Sequence, residues 1–246
     1  RAVAVVATTG TTSTTSVDPV DAIAPLAREF GAWLHVDAAY GGPAAIVPEL
    51  RPLLAGWEQA DSVVVNPHKW LFTPVDCSVL FCRRPRALVR AFSIVPEYLR
   101  SADTGKARDL MDYGVALGRR FRSLKLWFVL RYFGRDGIVA NLREHVRLAR
   151  AFAGWVEAAD GWEVSAPVPF ALVCFRFAPE GAAPEEADAL NQRILDRVNA
   201  SGEAFLTHTR LQGRLVLRLA VGNVKTTEAH VARAWELLRE AARAEG

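Results

Sequence analysis

Two side chains stand out because their types and surroundings suit them to chemistry. Lys69 lies in the segment Asn66–Trp70, directly after a histidine, and Asp37 ends the apolar run Trp33–Asp37. A lysine amine becomes a nucleophile toward carbonyl groups when partial burial and a nearby cation lower its pKa. Pro67 and the apolar residues after Lys69 favour burial of this segment. Lys69 is therefore a candidate for covalent carbonyl chemistry, with a plain surface lysine as the alternative.

Asp37 suggests a partner with a positive charge. A carboxylate at the end of an apolar strand is costly unless it is paired, and a protonated pyridine nitrogen would be a natural partner. The small side chains of Ala38 and Ala39 would let a flat ring approach the backbone closely. A helix cap or a magnesium ligand is the alternative role for Asp37. His35 shares a strand face with Asp37, and we interpret it as a core histidine with satisfied hydrogen bonds.

Both candidates fall at the ends of predicted β-strands. Short apolar runs predict strands over 2–7, 33–37, 62–66 and 78–83. Their alternation with helices predicts an α/β fold with a mostly parallel sheet, in which ligands bind at the carboxyl ends of the strands. The residues at or just beyond such ends are Thr11, Thr12, Asp37, Asn66 and Lys69.

Helices and one long loop connect and follow these strands. Asp18 and Pro19 resemble the cap and first position of a helix over 20–30. Residues 93–112 have weak periodicity and many charges, which predicts a long mobile loop. Helices follow over 119–133 and, from apolar residues spaced by three and four, over 142–156.

The order of elements then changes, which predicts a second domain. The remaining predicted elements are a strand over 171–177, a helix over 185–200, a strand over 215–221 and a helix over 227–244. We expect a large parallel-sheet domain over 1–124 and a smaller α+β domain over 125–246. Trp127 and Phe128 are interpreted as core residues.

Composition excludes several classes of function. The 246 residues are 51% hydrophobic and 23% charged, with a net charge of +3, which is typical of a globular protein and gives no indication of nucleic-acid binding. No apolar run approaches the roughly 20 residues of a membrane span. Cys77, Cys82 and Cys174 show no metal-binding spacing, and their small number predicts a reducing, cytoplasmic location. Because Arg1 opens directly into a strand-like run, we expect the N-terminal part of the natural protein to be missing.

Several motifs, taken in order along the chain, resemble one enzyme family. They are Gly10-Thr11-Thr12, His35–Tyr40, Asn66–Trp70, Leu117–Lys125, Asn191-Gln192, Phe205–Thr207 and Leu217–Asn223. Together they resemble the group II pyridoxal-phosphate decarboxylases, and most of all the aromatic-L-amino-acid decarboxylase branch. The resemblance implies the fold-type I architecture of pyridoxal-phosphate-dependent transferases (aspartate aminotransferase-like). The chain would then hold the second half of the large domain and the small C-terminal domain.

The resemblance also implies a role for each site residue, with pyridoxal 5'-phosphate as cofactor and no metal. Lys69 would form the Schiff base with the cofactor, Asp37 would pair with its ring nitrogen, and Ala39 would pack against the ring. Thr12 and Asn66 would lie at the cofactor, Asn66 near its phosphate, and His68 would contact the phosphate or position the lysine. Tyr98 would be the tyrosine of the mobile catalytic loop, which protonates the substrate carbon after carbon dioxide leaves.

The implied function is decarboxylation of an aromatic L-amino acid such as tyrosine, tryptophan or DOPA in an obligate homodimer. Tyr98 favours simple decarboxylation, because phenylalanine replaces it in related oxygen-dependent aldehyde synthases. Decarboxylation of an acidic or diamino substrate, or a non-catalytic fragment, are the alternatives. Residues 109–113 depart from the family pattern, which leaves substrate choice open. Gly118 is a candidate for the substrate pocket, where a small residue would leave room for an aromatic ring.

Overall fold

A four-stranded sheet forms the first part of the chain. The computed structural model describes residues 2–93 and 109–245. The strands are β1 (Ala4–Thr8), β2 (Trp33–Asp37), β3 (Ser62–Val65) and β4 (Val79–Cys82), in the order β1-β2-β3-β4. The first three are parallel and β4 is antiparallel to β3, so the predicted, mostly parallel sheet is confirmed.

Helix α1 (Val20–Glu29) crosses from β1 to β2 and covers one face of the sheet with Val20, Ala24 and Ala27. The prediction that Asp18 caps this helix is wrong. The helix has no side-chain cap, and Asp18 Oδ2 instead accepts a hydrogen bond from the backbone N–H of Thr8 at 2.7 Å. Asp18 therefore stabilises the end of β1 and does not cap the helix.

Short helical segments fill the connections around β3. Three 3-10 turns over Gly42–Ile46, Pro48–Leu54 and Trp57–Gln59 lead from β2 to β3. Beyond β3 come helix α2 (Pro67–Trp70), helix α3 (Pro85–Phe92) after β4, and a 3-10 turn over Leu110–Tyr113. Most of the predicted loop over 93–112, with its Tyr98, lies outside the described residues.

Helix α4 (Arg122–Glu157) merges the two helices predicted over 119–133 and 142–156. It is kinked at Gly134, whose φ of 61° and ψ of 178° are not helical. Before the kink several apolar side chains are exposed, including Trp127 at 53% and Phe128 at 58%, although Phe133 packs against the hydrophobic core. The interpretation of these two aromatic residues as core is wrong, because this part of the helix projects away from the hydrophobic core. The predicted domain boundary at 124/125 falls within α4 and stays a prediction.

The second sheet is wholly antiparallel. Its strands are β5 (Trp162–Val164), β6 (Leu172–Phe177), β7 (Thr207–Leu211) and β8 (Arg214–Ala220), in the order β5-β6-β8-β7. Helices α5 (Pro184–Ala200) and α6 (Glu228–Glu245) pack with α4 around this sheet. The sequence predicted β6, α5, β8 and α6, but it missed β5 and β7, which lie at the two edges where burial is incomplete.

One hydrophobic core joins the turns that follow β2 and β3 to the second sheet. It contains Trp70 and Ala44 from the first part of the chain together with Phe152, Phe170 and Leu238 from the second. These five residues have at most a trace of exposed surface. The turn that carries Lys69 is therefore anchored in the same core as the second sheet. In the part of the chain that the structure describes, no helix has the length and hydrophobicity that crossing a membrane requires.

The fully buried Asn191 offers a test of this packing. Its amide accepts a hydrogen bond from the Phe177 N–H at 2.9 Å and donates to the carbonyls of Phe177 and Ala187. We expect Asn191→Leu to lower the free energy of unfolding by about 2–3 kcal/mol, because these backbone groups lose their partner. Urea unfolding measures the change. Gln192→Ala, at the neighbouring half-exposed position, should change the free energy of unfolding by no more than about 0.5 kcal/mol. An Asn191→Leu variant that is as stable as the original protein would contradict the prediction.

Candidate active site

The carboxyl ends of β1, β2 and β3 lie side by side. Asp37 is paired with Thr8 on one side and with Val64 on the other. Beyond the strands the alignment continues, since the Ala38 N–H donates to the Val64 carbonyl at 3.0 Å and the Asn66 N–H donates to the Ala39 carbonyl at 3.1 Å. The segment after β2 and the turn that carries Lys69 are therefore neighbours.

Asp37 presents a half-exposed carboxylate at this edge. Its Oδ1 accepts a hydrogen bond from the Ala39 N–H at 3.0 Å, and within residues 2–93 and 109–245 no other group donates to the side chain. Ala38 is fully buried and Ala39 is 9% exposed. The carboxylate is thus held in place by one bond and keeps an oxygen for a cationic or N–H partner. The described residues contain no group of three or more side chains suited to a metal ion.

Lys69 is presented to solvent by a single helical turn. Its N–H donates to the Asn66 carbonyl at 2.9 Å, within the four-residue helix α2. Pro67 and Trp70, three positions apart, are buried, whereas Lys69 is exposed. The predicted burial of this segment holds for Pro67 and Trp70 but is wrong for Lys69, which points away from the core because it lies on the other side of the turn.

Asn66 contains a buried polar atom without a partner. Its Oδ1 is buried and has no hydrogen bond among the described residues. A buried amide atom of this kind costs free energy unless a ligand or water satisfies it. Rotating the amide by half a turn exchanges the oxygen for the Nδ2 donor. The position can therefore offer an acceptor or a donor to a bound group.

His68 is held through one ring nitrogen. Its Nδ1 lies 2.7 Å from the Cys77 carbonyl and 3.0 Å from the Cys77 N–H. One nitrogen cannot donate and accept at once, and the shorter contact favours an Nδ1–H that donates to the carbonyl. Nε2 then keeps a free lone pair, and none of the described residues bonds to it.

The loop after β1 is fastened by the second sheet. Arg218, on β8, donates to the carbonyls of Thr12 and Ser13 at 2.7 and 2.9 Å and to the Thr207 hydroxyl at 2.8 Å. The Cys174 thiol also donates to the Ser13 carbonyl, at 3.3 Å. Thr12 itself is exposed at the carboxyl edge of β1, so residues far along the chain set the position of this predicted site residue.

Other predicted residues take less central positions. His35 lies 2.8 Å from the Ser62 hydroxyl through Nδ1, which agrees with a satisfied histidine. Gly118 is exposed, and a side chain there would meet none of the described atoms within 4 Å. Tyr98 lies outside the described residues. The roles of Lys69, Asp37 and the other site residues stay predictions at this point.

Two residues near the site were missed by sequence reasoning. Arg218 reaches a loop more than 200 positions away along the chain. His145, on α4, accepts a hydrogen bond from Trp70, which is 75 positions earlier. The only local signal is a polar side chain inside an otherwise apolar strand or helix face, and this signal does not identify the partner.

A known family and several known proteins match this chain. The family model described as "Pyridoxal-dependent decarboxylase conserved domain" matches residues 2–178. Tryptophan decarboxylase TDC1 of Camptotheca acuminata is 44% identical over 223 residues, which are 89% of this chain and 44% of that protein. Phenylacetaldehyde synthase of a Rosa hybrid cultivar is 43% identical over 232 residues, which are 91% of this chain and 46% of that protein.

A solved structure agrees with this match. The crystal structure of Oryza sativa TDC with PLP and tryptamine superposes with a TM-score of 0.92 at 44% identity, covering 97% of this chain and 50% of that one. The chain thus spans about half the length of the curated relatives that it matches.

The contacts of Arg218 lead to a prediction. Arg218→Lys should loosen the loop over 10–16, because an ammonium group cannot hold both carbonyls in the geometry of a guanidinium. We expect the amide protons of Gly10, Thr11 and Thr15, which are hydrogen-bonded within this loop, to exchange about tenfold faster. Hydrogen exchange measured by NMR or mass spectrometry checks this. Arg214→Lys, at the exposed start of the same strand, is the control, and equal exchange in both variants would refute the role of Arg218.

Proposed function

The chain belongs to the pyridoxal-dependent decarboxylase family. We therefore propose that the protein which contains this chain uses pyridoxal 5'-phosphate to decarboxylate an aromatic L-amino acid to the amine and carbon dioxide. The observation that carries the proposal is the placement of Asp37 and Lys69. Asp37 ends β2 and Lys69 follows the neighbouring parallel strand β3, and beyond the strand ends the Asn66 N–H donates to the Ala39 carbonyl. A carboxylate and a lysine amine are thereby presented at one sheet edge.

The residues at this edge fit the proposed cofactor. The free oxygen of the Asp37 carboxylate suits a protonated ring nitrogen, and the small Ala38 and Ala39 leave room for a flat ring. The Nδ2 donor that a flipped Asn66 amide offers and the hydroxyl of the exposed Thr12 suit a phosphate, whereas His68 Nε2 donates to a phosphate only when that ring is protonated. The amine of the exposed Lys69 could form a Schiff base with an aldehyde group on such a ring.

Each side chain then has a defined task. Lys69 would hold the cofactor covalently through its amine. Asp37, as a carboxylate, keeps the proton on the ring nitrogen. When bound, the cofactor supplies an electron sink for the pair left behind by the departing carboxylate. Ala39 would support the ring and Thr12 and Asn66 would orient the phosphate, while His68 would contact the phosphate or position the lysine.

The last step needs a proton at the substrate carbon. We assign this step to the Tyr98 hydroxyl, by resemblance to the tyrosine of the family's catalytic loop. The bond to the carboxylate breaks, carbon dioxide leaves, the hydroxyl proton goes to the carbon, and solvent returns a proton to the tyrosine. The outcome is an amine.

Further properties of the whole protein are proposed on the same basis. We propose a homodimer with shared active sites, because the resemblance to the group II decarboxylases implies such an assembly. The predicted cytoplasmic location and the absence of nucleic-acid and membrane partners stay predictions.

The function is tested by substrate and product analysis of the protein that carries this chain. With pyridoxal phosphate, we expect tryptophan, tyrosine or DOPA to release carbon dioxide and the matching amine. Lys69→Ala should lower this rate by at least about 10³-fold, and borohydride should fix the cofactor on the Lys69 peptide of the original protein and of the control variant. Lys225→Ala, at an exposed lysine of the loop after β8, is the matched control.

The same assay separates the alternatives. A preference for glutamate or 2,4-diaminobutyrate would assign the acidic or diamino branch. Oxygen consumption with an aldehyde product would assign the activity for which the Rosa relative is named. Turnover retained in Lys69→Ala would overturn the mechanism, and absence of any cofactor attachment would leave a non-catalytic fragment.

A second substitution isolates the charge of Asp37. Asp37→Asn keeps the shape of the side chain but removes the charge that holds the proton on the ring nitrogen, so we expect kcat to fall by about 10²–10³-fold. Attachment of the cofactor to Lys69 should persist, as borohydride trapping would show. Asp21→Asn, on the exposed face of α1, should be neutral. Normal turnover in Asp37→Asn would remove Asp37 from the mechanism.

A further inference from the structure

The residue next to Lys69 is the most constrained side chain of the sheet edge. Trp70 is fully buried. Its ring stacks on Tyr40 with centroids 5.1 Å apart and planes at 10°, and it meets Phe170 edge-on at 5.7 Å. Tyr40 follows Asp37 by three positions. The indole ring therefore packs between the segment after β2 and the second half of the chain.

The indole N–H of Trp70 determines the protonation state of the buried His145. Trp70 Nε1–H donates to His145 Nδ1 at 3.2 Å, and an indole nitrogen can only donate. His145 Nδ1 must therefore be a bare acceptor. Its other nitrogen, Nε2, lies 3.2 Å from the Asn223 carbonyl and must carry the proton. Both hydrogen bonds together require a neutral His145, which is 1% exposed.

His145 thus links the lysine turn to the second sheet. Asn223 lies in the loop after β8, where its carbonyl also accepts from the Thr226 N–H at 2.9 Å. Phe72 meets the His145 ring edge-on at 5.7 Å. Among the described residues, Glu144 on the same helix is the charged group that acts on His145, while the contacts from the other elements are neutral.

We propose that His145 is a positioning residue for Lys69, which in its neutral form holds Trp70, and with it the turn Pro67–Trp70, against the loop after β8. The inference rests on the proposed function, because the position of Lys69 matters only where this lysine binds the cofactor. His145 touches neither the cofactor nor the substrate in this scheme. It acts through Trp70.

The arrangement makes the lysine turn sensitive to acid. Burial lowers the pKa of His145 below its ordinary value of 6.5, against a smaller opposing effect of the Asn223 carbonyl and Glu144. The unfolded chain therefore protonates this residue at a higher pH than the folded chain. The free energy of unfolding falls as the pH falls from about 6.5 toward the folded-state pKa. Below that pKa the protonated ring cannot accept from Trp70, so the turn is released.

Two substitutions separate the two hydrogen bonds of His145. The carbonyl oxygen of an asparagine can stand where Nδ1 stands, so His145→Asn keeps an acceptor for Trp70. The amide of a glutamine reaches the place of Nε2, so His145→Gln keeps a donor for Asn223 and loses the acceptor. We expect His145→Gln to accelerate amide exchange at Lys69 and Leu71 about tenfold without cofactor, and His145→Asn to stay within about threefold of the original protein.

The same pair should differ once cofactor is added. His145→Gln should slow borohydride-trappable attachment at Lys69 and lower kcat about tenfold with KM unchanged, whereas His145→Asn should not. Trp70→Phe removes the bond from the other side while keeping an aromatic ring, so it should match His145→Gln, and the double variant should be no worse than either single variant. Circular dichroism confirms that each variant is folded.

Clear outcomes would overturn the inference. Equal exchange at Lys69 in His145→Asn and His145→Gln would reduce His145 to packing. Nitrogen NMR of labelled histidine that found the proton on Nδ1, or a charged ring at neutral pH, would exclude the proposed bonds. If the unsubstituted protein attaches no pyridoxal phosphate, the proposed function fails, while amide exchange and NMR still decide the role of His145.

Discussion

The site depends above all on the parallel register of β1, β2 and β3. Thr8, Asp37 and Val64 are aligned across the three strands, and the bonds that continue beyond them bring the Asp37–Ala39 segment beside Asn66. A slip of one residue would turn the Asp37 side chain to the opposite face of the sheet. It would also carry the turn with Lys69 away from the carboxylate. The buried side chains of Ala7, Leu34 and Val36 hold the register, because any slip would expose them to water and lose the free energy of their burial.

The second sheet takes part in this geometry. Trp70 is a member of the large hydrophobic core that contains Phe152, Phe170 and Leu238, so the lysine turn cannot move independently of it. Arg218 fastens the loop after β1, and His145 joins Trp70 to the loop after β8. Polar contacts that pair far-apart segments in this way add directional constraint to a packing that is otherwise non-directional.

The family assignment and the fold agree with each other. The predicted fold-type I architecture and the resemblance to the group II decarboxylases are confirmed by the family match over residues 2–178 and by the close superposition on the Oryza sativa enzyme. Lys69 is exposed, and the Asp37 carboxylate keeps one oxygen without a partner among the described residues. Both residues lie in a chain that spans about half the length of its relatives. The activity, the substrate and the assembly are therefore properties proposed for the whole protein.

The sequence by itself determined the local elements and the candidate residues. Apolar runs and short motifs sufficed to find the strand Trp33–Asp37, helix α1 and the site candidates Asp37 and Lys69, because these signals lie within a few neighbouring residues. Only the tertiary structure showed that Lys69 is exposed while Trp70 is buried, that Asp18 bonds Thr8 instead of capping a helix, and that Trp127 lies outside the core. It also identified Arg218 and His145 as supports of the site. Their partners at the site, Trp70 for His145 and the loop after β1 for Arg218, lie 75 or more positions away along the chain, and contacts over such distances leave no periodic signal in a single sequence.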